Sequence, residues 1–454
     1  MASPARVVAL DVLLAIHGRD AYANLALDAE LKRRTLTQRD TALATELAYG
    51  TLRAEGTLDW VLQRFSKRPL EELEPVVLDA LRLGAYQLLY LDVSDHAAVN
   101  ETVDQVRAHT HIGAAGYANA VLRALARGRD DLPWPSREGD LAGYLSLVLW
   151  HPRWLVERWI DELGLETTEA LCRADNSPPD VTLRANVLRT TRKSLLGELA
   201  ARGVDVRAGK IAAEAIHVRR AGSVTAMPEF ERGEIYVQDE ASMAVSHLVD
   251  ARPGETVADL CAAPGGKATH LAELMGNEGH VMGVDVNEKR LKLVADSARR
   301  LCDTIVEPVL ADAASWRPER AVDRVLLDAP CSGLGVLARR AESRWRKGAQ
   351  QIDELAGLQS ILLDNAATVL RPGGVLVYST CTISRRENQD QIDAFLARHP
   401  DFAPADAAAE LGVEAPSGPG WIQFLPHVHG TDGIFVGKLT RGPRNLLAST
   451  REQK

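Results

Sequence analysis

The chain has 454 residues, which is too long for one hydrophobic core and predicts two or three domains. Its hydrophobic share of 46% and charged share of 25% are ordinary for a globular protein. The net charge of −9 argues against a protein that coats nucleic acid without selectivity, although it allows a local basic patch. The five cysteines form no C-x-x-C pair, which favours a reducing compartment over a disulfide framework or a cysteine-rich zinc site.

Apolar residues recur at helical spacing through residues 1–130. The first segment predicts an amphipathic helix rather than a signal peptide, because Asp11 interrupts its apolar residues. Pro75 stands where a first helical turn begins, and Gly128 where a last turn ends. We predict an all-α bundle of five to seven short helices over 1–130, followed by a linker rich in proline and acidic residues at 131–140.

Residues 141–235 predict a small α/β segment, in which VTLRANV and AIHVRR have the pattern of strands. From residue 236 strands and helices alternate strictly, with TVADL, HVMGVDV, VEPVLAD, DRVLLDA and GGVLVYST as the strands. This alternation predicts a Rossmann-like α/β domain with a mostly parallel, doubly wound sheet over residues 236–442. Residues 443–454 are predicted as a C-terminal tail. No apolar run approaches the roughly 20 residues that cross a bilayer, so we expect a cytoplasmic protein.

A glycine-bearing loop follows the first of these strands in ADLCAAPGGKATHLAELM. Pro264, Gly265 and Gly266 let the backbone approach a ligand that a Cβ atom would exclude. Asp285 ends the second strand, where a carboxylate typically binds ribose hydroxyls, and Asp312 ends the third. Each feature alone is often only a turn or a helix cap. Because GxGxxG is absent from the sequence, a nucleoside without phosphates, such as S-adenosylmethionine, fits better than a dinucleotide.

Cys331 and Cys381 follow two strands, in DAPCSGLG and YSTCTI. If TVADL is central, DRVLLDA should lie beside it and GGVLVYST next, so that both cysteines border the cofactor's reactive end. A thiolate that adds to C6 of a cytosine makes C5 nucleophilic enough to take a methyl group. Asp328 is placed to hold the N3 edge of that base. The spacing does not decide which cysteine attacks.

The motifs DLCAAPGGK, DAPCSGLGVL and YSTCTISRREN resemble the signature motifs of RNA cytosine-C5 methyltransferases. Within these enzymes, the chain is similar over nearly its whole length to the RsmB/Sun-type small-subunit rRNA methyltransferases. Its helical N-terminal region is similar to the NusB-type RNA-binding fold, and LWHPRW and QDEASM stand where the family has such elements. The resemblance implies S-adenosylmethionine-dependent methylation of a cytosine in 16S rRNA, at position 967, or in a small-subunit precursor. It also implies a monomer that uses no metal and contacts no membrane.

The resemblance assigns roles to particular residues. Because the cysteine of the Thr-Cys motif attacks in RNA enzymes of this type, Cys381 is the implied nucleophile, and Cys331 is implied to assist product release. The implied cofactor contacts are Cys261, Ala262, Ala263, Pro264, Gly265, Gly266, Lys267, Asp285, Asp312 and Asp328. The chain has RRAES where the family often has a proline before the acid, which affects the RNA-side loop but no catalytic position.

Basic residues surround a tryptophan in ARRAESRWRK, and two more follow Cys381. Guanidinium and ammonium groups pair with phosphates and tryptophan stacks on bases, so these residues are predicted RNA contacts. They are Arg344, Trp345, Arg346, Lys347, Arg385 and Arg386. The alternative is a solvated helix start with a core tryptophan. Because the target carbon is unreachable inside a base stack, we expect single-stranded or locally melted RNA as substrate.

Three other functions stay open on the sequence. One is a tRNA cytosine-C5 methyltransferase, against which the NusB-like bundle argues. Another is a non-catalytic RNA-binding or antitermination factor, against which the intact Cys331, Cys381 and Asp328 argue. The third is a nicotinamide oxidoreductase, which would need the missing GxGxxG fingerprint. The histidines of HTHIG and HVHG have no acidic or cysteine partner in register, so no metal site is predicted.

Overall fold

The computed structural model of the chain describes residues 3–19, 21–219 and 222–443. These residues form helices and two β-sheets. Across the described ranges, we find no helix with the length and apolar character that a bilayer crossing requires. The tail predicted at 443–454 lies outside the described residues, apart from Pro443.

The chain divides into two compact units. The first comprises Met1–Pro178 together with Leu337–Lys347, and the second comprises Pro179–Val336 together with Gly348–Lys454. The predicted boundary between residues 140 and 141 stays a prediction, and the helices that follow it lie in the first unit. The α/β elements predicted for this region begin only beyond Pro178.

The first unit is a bundle of helices around one apolar core. Six of its helices precede residue 130, as predicted, with Pro75 in the first turn of the fourth and Gly128 at the end of the sixth. The helices are α1 Pro4–Arg19, α2 Ala23–Lys32, α3 Gln38–Phe65, α4 Pro75–Tyr90, α5 Asp95–His109, α6 Ile112–Gly128, α7 Leu141–Val148, α8 Arg153–Leu163 and α9 Leu165–Asp175. Thr37 and Ser94 cap α3 and α5 by accepting hydrogen bonds from backbone N–H groups of the first turn.

The second unit begins with a small antiparallel sheet. Its elements are β1 Val181–Ala185, α10 Arg192–Ala201, β2 Val206–Ala208, β3 Ala215–Val218, α11 Pro228–Glu231 and β4 Ile235–Val237. The strand order is β2-β3-β1-β4, with antiparallel pairing throughout. The strands predicted in VTLRANV and AIHVRR are confirmed, whereas the short β2 and β4 were not predicted.

The rest of the second unit is a larger α/β layer structure. The short helix α15 Ser343–Arg346 interrupts it in the chain but belongs to the first unit. The elements of this layer structure are α12 Glu240–Val249, β5 Thr256–Leu260, α13 Gly266–Leu274, β6 His280–Asp285, α14 Glu288–Leu301, β7 Val306–Leu310, β8 Val322–Asp328, α16 Ala349–Val369, β9 Leu370–Thr380, α17 Gln389–Arg398, β10 Phe402–Pro404, α18 Ala407–Leu411, β11 Ser417–Gly418, β12 Trp421–Gln423, α19 Pro426–His429 and β13 Phe435–Arg441.

The larger sheet has the order β11-β12-β13-β9-β8-β5-β6-β7, and β10 pairs with β13. The five adjacent strands β9, β8, β5, β6 and β7 are parallel to one another, while β13 runs antiparallel to β9. From β5 the chain winds through β6 to β7 on one side, and β8 and β9 lie on the other. The prediction that DRVLLDA lies beside TVADL, with GGVLVYST next to it, is confirmed. The order reverses between β5 and β8, which is where open α/β sheets bind ligands.

Arg344, a predicted RNA contact, is instead an internal anchor of the first unit. Its side chain has no exposed surface. Its Nη1 donates to the carbonyl oxygen of Trp150 at 2.8 Å and to Oδ1 of Asn176 at 2.7 Å, and its Nη2 donates to the carbonyl oxygen of Asp175 at 3.1 Å. Burial lowers the pKa of Arg344 to about 10, so the group stays charged. The predicted phosphate contact of Arg344 is wrong, because the side chain is fully buried and both Nη groups already donate to buried acceptors.

The neighbours of Arg344 divide between packing and surface. Trp345 is half-buried, donates from Nε1 to the carbonyl oxygen of Leu52 at 2.9 Å, and packs its ring against Gly56. This placement agrees with the alternative prediction of a tryptophan packed in the core, and not with a tryptophan that stacks on RNA bases. Arg346 is exposed although its Nη2 donates to a carbonyl oxygen of α1, and Lys347 is half-buried. RNA contacts of these last two residues stay a prediction.

We expect Arg344→Ala to lower the free energy of unfolding by about 3 kcal/mol, because buried acceptors lose a charged donor and a cavity forms. Chemical denaturation followed by tryptophan fluorescence measures this change. Arg127→Ala, which removes an exposed arginine of the same unit, is the control. Unchanged stability together with weakened RNA binding would contradict the assignment of Arg344 as a structural anchor.

Candidate active site

Polar and sulfur-bearing residues gather at the carboxyl ends of the parallel strands. Cys261 directly follows β5, Asp285 ends β6, Asp328 ends β8, and Cys381 directly follows β9. Asp312 stands two residues beyond the end of β7, whereas the prediction placed it at the end of that strand. The common edge of the sheet therefore brings together the predicted cofactor and catalytic residues.

The loop after β5 is held tightly against β6 and α14. The backbone N–H groups of Cys261 and Ala262 both donate to the carbonyl oxygen of Val284 at 2.9 Å. Gly265 has a φ of +104°, and a Cβ there would lie 3.0 Å from the Cα of Val294. Glycine is required at this position both for its conformation and for the close approach to α14. The prediction of a tight glycine loop is confirmed.

Asp285 is almost fully buried beside this loop, with 4% of its surface exposed. Its Oδ1 accepts from the backbone N–H of Asn287 at 2.8 Å, and its Oδ2 accepts from that of Ala263 at 3.3 Å. Each carboxylate oxygen can accept a further hydrogen bond, so the group retains capacity for a ligand hydroxyl. Arg290 donates to the carbonyl oxygen of Ala263 at 2.7 Å and fixes the same segment from α14.

Two other carboxyl groups near the edge differ in exposure. Asp312 is exposed, and its Oδ1 accepts from the backbone N–H of Ala314 at 2.9 Å. Asp259 in β5 is fully buried, and neither of its carboxyl oxygens has a hydrogen-bond partner among the described residues. Burial, followed by the nearby charge of Asp328, raises the pKa of Asp259 to about 8. The carboxyl beneath the cofactor loop is therefore largely protonated at neutral pH.

Asp328 forms one ion pair and one hydrogen bond at the end of β8. Its Oδ2 accepts from Nζ of Lys267 at 2.7 Å, and its Oδ1 accepts from the hydroxyl of Ser379 at 2.7 Å. Burial by itself would lower the pKa of Lys267, but the charge and hydrogen bond of Asp328 outweigh it and raise that pKa. The loop after β5 and the ends of β8 and β9 therefore share a charged pair that persists at neutral pH.

The two cysteines predicted to act together are in contact. Their Sγ atoms lie 3.2 Å apart, and the backbone N–H of Cys381 donates to Sγ of Cys331 at 3.3 Å. Both side chains are half-buried and neither forms a disulfide. The hydrogen bond to Cys381, with burial, raises the pKa of Cys331 well above that of an ordinary thiol. The contact and the burial therefore disfavour the thiolate form of Cys331.

The loops that carry the cysteines also touch the turn before β13. The backbone N–H of Gly335 donates to the carbonyl oxygen of Cys381 at 3.0 Å, and that of Gly433 donates to the carbonyl oxygen of Gly335 at 2.7 Å. A Cβ at Gly335 would lie 1.9 Å from the carbonyl oxygen of Gly433. The two glycine backbones therefore pack directly on each other beside Cys381.

Several polar residues around the cysteines were not predicted. They surround the two loops with hydrogen bonds and are Ser332, Gln359, Thr382, Glu387 and Asn388. Ser332, Thr382, Glu387 and Asn388 lie within the motifs DAPCSGLG and YSTCTISRREN, whereas no signal in the sequence indicated Gln359. Polar residues in such motifs usually suggest exposed loops, whereas each of these five side chains is buried.

Arg184 of the small sheet is another residue that the sequence did not indicate. It is fully buried, and its Nη1 donates to the carbonyl oxygen of Gly266 in the loop after β5 at 2.5 Å. Its Nη2 pairs with Glu273 at 2.6 Å and donates to the hydroxyl of Thr269 at 3.0 Å. A charged side chain from β1 thus supports the start of α13, which the cofactor loop leads into.

A cluster of two histidines and one acid lies in the second unit. Oε1 of Glu214 is 2.9 Å from Nε2 of His247 and 2.8 Å from Nε2 of His270. The three groups are near enough to one another to hold a metal ion, and of the two histidines only His247 forms a hydrogen bond with Glu214 among the described residues. The expectation that the protein uses no metal stays a prediction.

Arg385 and Arg386 lie beyond Cys381, on the surface. Both are exposed, Arg385 pairs with Asp390 at 3.1 Å, and Arg386 pairs with Asp353 at 3.1 Å. Exposed ion pairs of this kind contribute about 0–1 kcal/mol, so an RNA phosphate can displace the carboxylates at little cost.

Comparison with known proteins identifies the family. The family model of the 16S rRNA methyltransferase RsmB/F matches residues 246–440, and that of the NusB family matches residues 3–127. The Bacillus subtilis protein named "Probable ribosomal RNA small subunit methyltransferase B" is 38% identical over 95% of this chain and 97% of its own. The chain belongs to the RsmB/F family of 16S rRNA methyltransferases. A ferredoxin-like domain of RsmF/B-like methyltransferases also matches residues 151–225.

Another curated relative and two solved structures are also similar to this chain. The ribosomal RNA small subunit methyltransferase B of Serratia proteamaculans is 35% identical over 90% of this chain and 92% of its own. The crystal structure of PH0851 has a TM-score of 0.85 and 30% identity, and covers 97% of this chain and 99% of its own. NSun6 from Pyrococcus horikoshii, solved with SFG, has a TM-score of 0.58 at 23% identity over 64% of this chain and 98% of its own, a likeness of fold.

The predicted family and fold class are therefore confirmed, with a NusB-like helical N-terminal region and a methyltransferase domain on a mostly parallel sheet. The protein is an RNA methyltransferase, and S-adenosylmethionine is its cofactor. The residues present fit that cofactor: the Gly265 turn leaves no Cβ in the way, and Asp285 retains acceptor capacity for a ribose.

We expect iodoacetamide to modify Cys381 faster than Cys331 in the protein without RNA. The thiolate is the reactive form of cysteine, and the raised pKa of Cys331 disfavours its thiolate. Peptide mass spectrometry over a time course measures both rates, with the exposed Cys302 as internal reference. Faster modification of Cys331 would show that the proton lies on the other sulfur.

Proposed function

We propose that this RsmB/F family member methylates C5 of a cytosine in 16S rRNA, at position 967, through a covalent bond between Cys381 and C6 of the base. The observation that carries the proposal is the 3.2 Å contact of two thiols beside the Lys267–Asp328 pair, at the edge where the sheet order reverses. The names of the curated relatives support rRNA of the small subunit as the substrate.

The raised pKa of Cys331 supports Cys381 as the nucleophile. Burial and the contact with Cys381 disfavour the thiolate of Cys331, so Cys331 is the weaker candidate for the attacking sulfur. Cys381, like Cys331, is half-buried rather than enclosed in the core, so a base can reach it. Cys331 is then free to assist at release. The sequence alone left these two roles open, and the family resemblance assigns them in the same way.

In the proposed reaction, the Cys381 thiolate forms a bond to C6 and the C5–C6 π electrons make C5 nucleophilic. When bound, S-adenosylmethionine supplies the electrophilic methyl group that C5 takes up. The ammonium group of Lys267, held by Asp328, offsets the negative charge that addition brings onto the ring, and Asp328 holds the N3 edge. A base then takes the C5 proton as the C5–C6 double bond re-forms and the S–C6 bond breaks, a step that Cys331 assists.

The proposed cofactor contacts surround the edge of β5 and β6. They are Cys261, Ala262, Ala263, Pro264, Gly265, Gly266, Lys267, Asp285, Asp312 and Asp328. Asp285 is assigned to the ribose hydroxyls because its oxygens point along the loop and keep acceptor capacity. Asp312 is assigned to the adenine edge or the far side of the ribose, since it is exposed beyond β7.

The proposed RNA contacts are Arg346, Lys347, Arg385 and Arg386, which have exposed or partly exposed side chains. The NusB-like region, residues 3–127, is assigned to RNA binding, as the family resemblance implies. We propose that the protein acts in the cytoplasm as a monomer, on 16S rRNA or a small-subunit precursor, with the target base unstacked.

With unmethylated 16S rRNA we expect one 5-methylcytosine per molecule, because one pocket reads one flipped base. The purified protein is incubated with S-adenosylmethionine and with rRNA, small-subunit particles or tRNA from a deletion strain, and the products are mapped by mass spectrometry. Methylation of tRNA alone would favour a tRNA enzyme instead. Cofactor binding with no turnover on any of these RNAs would favour a non-catalytic RNA-binding factor.

Substitution of each cysteine separates the two roles. We expect Cys381→Ala to abolish methyl transfer with little change in cofactor affinity, because the adduct cannot form. Cys331→Ala should let a covalent protein–RNA adduct accumulate, visible as a denaturant-resistant band of reduced gel mobility. If Cys381→Ala traps the adduct and Cys331→Ala abolishes it, the two cysteines have exchanged roles. Cys302→Ala, which changes an exposed cysteine away from the loops, is the control.

A further inference from the structure

One buried carboxylate joins the two loops that carry the cysteines. Ser332 follows Cys331 and Thr382 follows Cys381, and their hydroxyl oxygens lie 2.8 Å apart. Glu387 accepts from the backbone N–H of Ser332 at 2.8 Å and from its hydroxyl at 2.5 Å. The hydroxyl of Thr382 also donates to Glu387, at 3.5 Å. A single side chain therefore bonds to the residue after each cysteine.

Glu387 is itself fixed by the helix and the strand beside it. Gln359 of α16 donates to Oε1 of Glu387 at 3.2 Å and to the carbonyl oxygen of Pro330 at 2.9 Å. The hydroxyl of Tyr378 in β9 donates to the carbonyl oxygen of Glu387 at 2.6 Å. The residues on both sides of Cys331 are thus tied to one carboxylate and its glutamine partner.

The need for such a link follows from where the sheet ends. The last paired residues of β8 and β9 are Asp328 and Ser379, and the N–H of Ala329 still donates to the carbonyl oxygen of Ser379 at 2.9 Å. Beyond these residues the strands no longer align the two cysteines. Glu387 accepts a hydrogen bond from the N–H of Ser332, directly after Cys331, where the strands are no longer paired.

The neighbouring Asn388 provides a useful contrast. Its Oδ1 accepts from the hydroxyl of Thr380 at 2.6 Å, and its Nδ2 donates to the carbonyl oxygen of Thr382 at 3.0 Å. These contacts brace the loop of Cys381 alone. Glu387, by contrast, reaches both loops, so its loss changes the position of one cysteine relative to the other.

Glu387 has no exposed surface, so it does not reach the substrate in this structure. Burial raises the pKa of Glu387, while the hydrogen bonds of Ser332, Gln359 and Thr382 oppose that rise. A buried carboxyl without such donors would be costly, and hydrogen bonds to an ionised group are about twice as strong as neutral ones. This set of donors fits a structural anchor for the cysteines rather than a group that transfers protons with RNA.

We propose that Glu387 is a positioning residue that sets the separation and relative orientation of Cys331 and Cys381, so that both act in turn on one base. The inference rests on the proposed function for the roles of the two cysteines. Two groups that must act on neighbouring atoms need a fixed geometry, and a displacement of about 1 Å can cost about 10²-fold in rate.

Three variants test this role. Glu387→Ala removes all the contacts of the carboxylate, and Glu387→Gln keeps an oxygen that can still accept from Ser332 and Gln359. Glu229→Ala is the matched control, because Glu229 is equally buried in the same unit but pairs with Arg202 and Arg232 instead.

We expect Glu387→Ala to lower kcat by about 10²-fold, while the KM for RNA and the Kd for S-adenosylmethionine stay within about twofold of the parent. Glu387→Gln should lose only about tenfold, which is rescue by a conservative change. In Glu387→Ala the iodoacetamide rates of Cys381 and Cys331 should also become similar. Glu229→Ala should change neither kcat nor the ratio of the two rates.

The proposal is overturned if Glu387→Ala keeps the kcat and the ratio of alkylation rates of the parent. It is also overturned if kcat and cofactor affinity fall by the same factor, which indicates general damage to the fold. Should Glu387→Ala fail to fold, parent-like kcat in Glu387→Gln would overturn it. The alkylation rates require neither RNA nor methyl transfer, so an inactive parent protein would count against the proposed function and not against the role of Glu387.

Discussion

The register of β8 against β9 is the constraint on which the site depends. Asp328 and Ser379 are the last paired residues of these parallel strands. Each strand then continues into a loop, with Cys331 three residues after Asp328 and Cys381 two residues after Ser379. Because β5 adjoins β8 on its other side, the loop that leads into α13 ends at the same edge. A shift of one residue in either pairing would turn Asp328 away from Lys267 and move one sulfur from the other.

Around this edge the protein keeps its ionisable groups in different protonation states. Asp259 is buried without a partner among the described residues and holds a proton, whereas Asp328 shares its charge with Lys267. Cys331 keeps its proton through its contact with Cys381. Burial, pairing and hydrogen bonding act differently on these neighbouring groups, and their combination places two thiols and a charged lysine at one edge of the sheet.

Much of this arrangement was predictable from the sequence, and the reasons are physical. Strict alternation of strands and helices from residue 236 predicted the parallel sheet, and the position of Cys331 and Cys381 after adjacent strands predicted that both lie at the same edge of it. Local sequence patterns did not predict the structure where packing between residues distant in the chain determines it. The sequence predicted that Arg344 is exposed, but its side chain is buried and donates hydrogen bonds to carbonyl oxygens of residues far away in the chain. The helices after residue 140 likewise join the first unit through packing that no local pattern indicates.

Glu387 was missed for a related reason. An acid within SRREN is typical of a solvated turn, and its burial depends on donors from α16 and from the loop after β8, which lie tens of residues away. The short strands at the outer edge of the large sheet, such as β11 and β12, escaped prediction because two or three residues carry too little periodicity.

The contact between Gly335 and Gly433 limits how this family member can be altered. Each glycine occupies the space that a methyl group on the other would need, since a Cβ on either would meet backbone atoms of its partner within 2.8 Å. In a saturation library neither position can vary, and no compensating second change exists, because both partners are already the smallest residue. Attempts to engineer base selectivity beside Cys381 must therefore draw on side chains elsewhere and leave this pair of glycines intact.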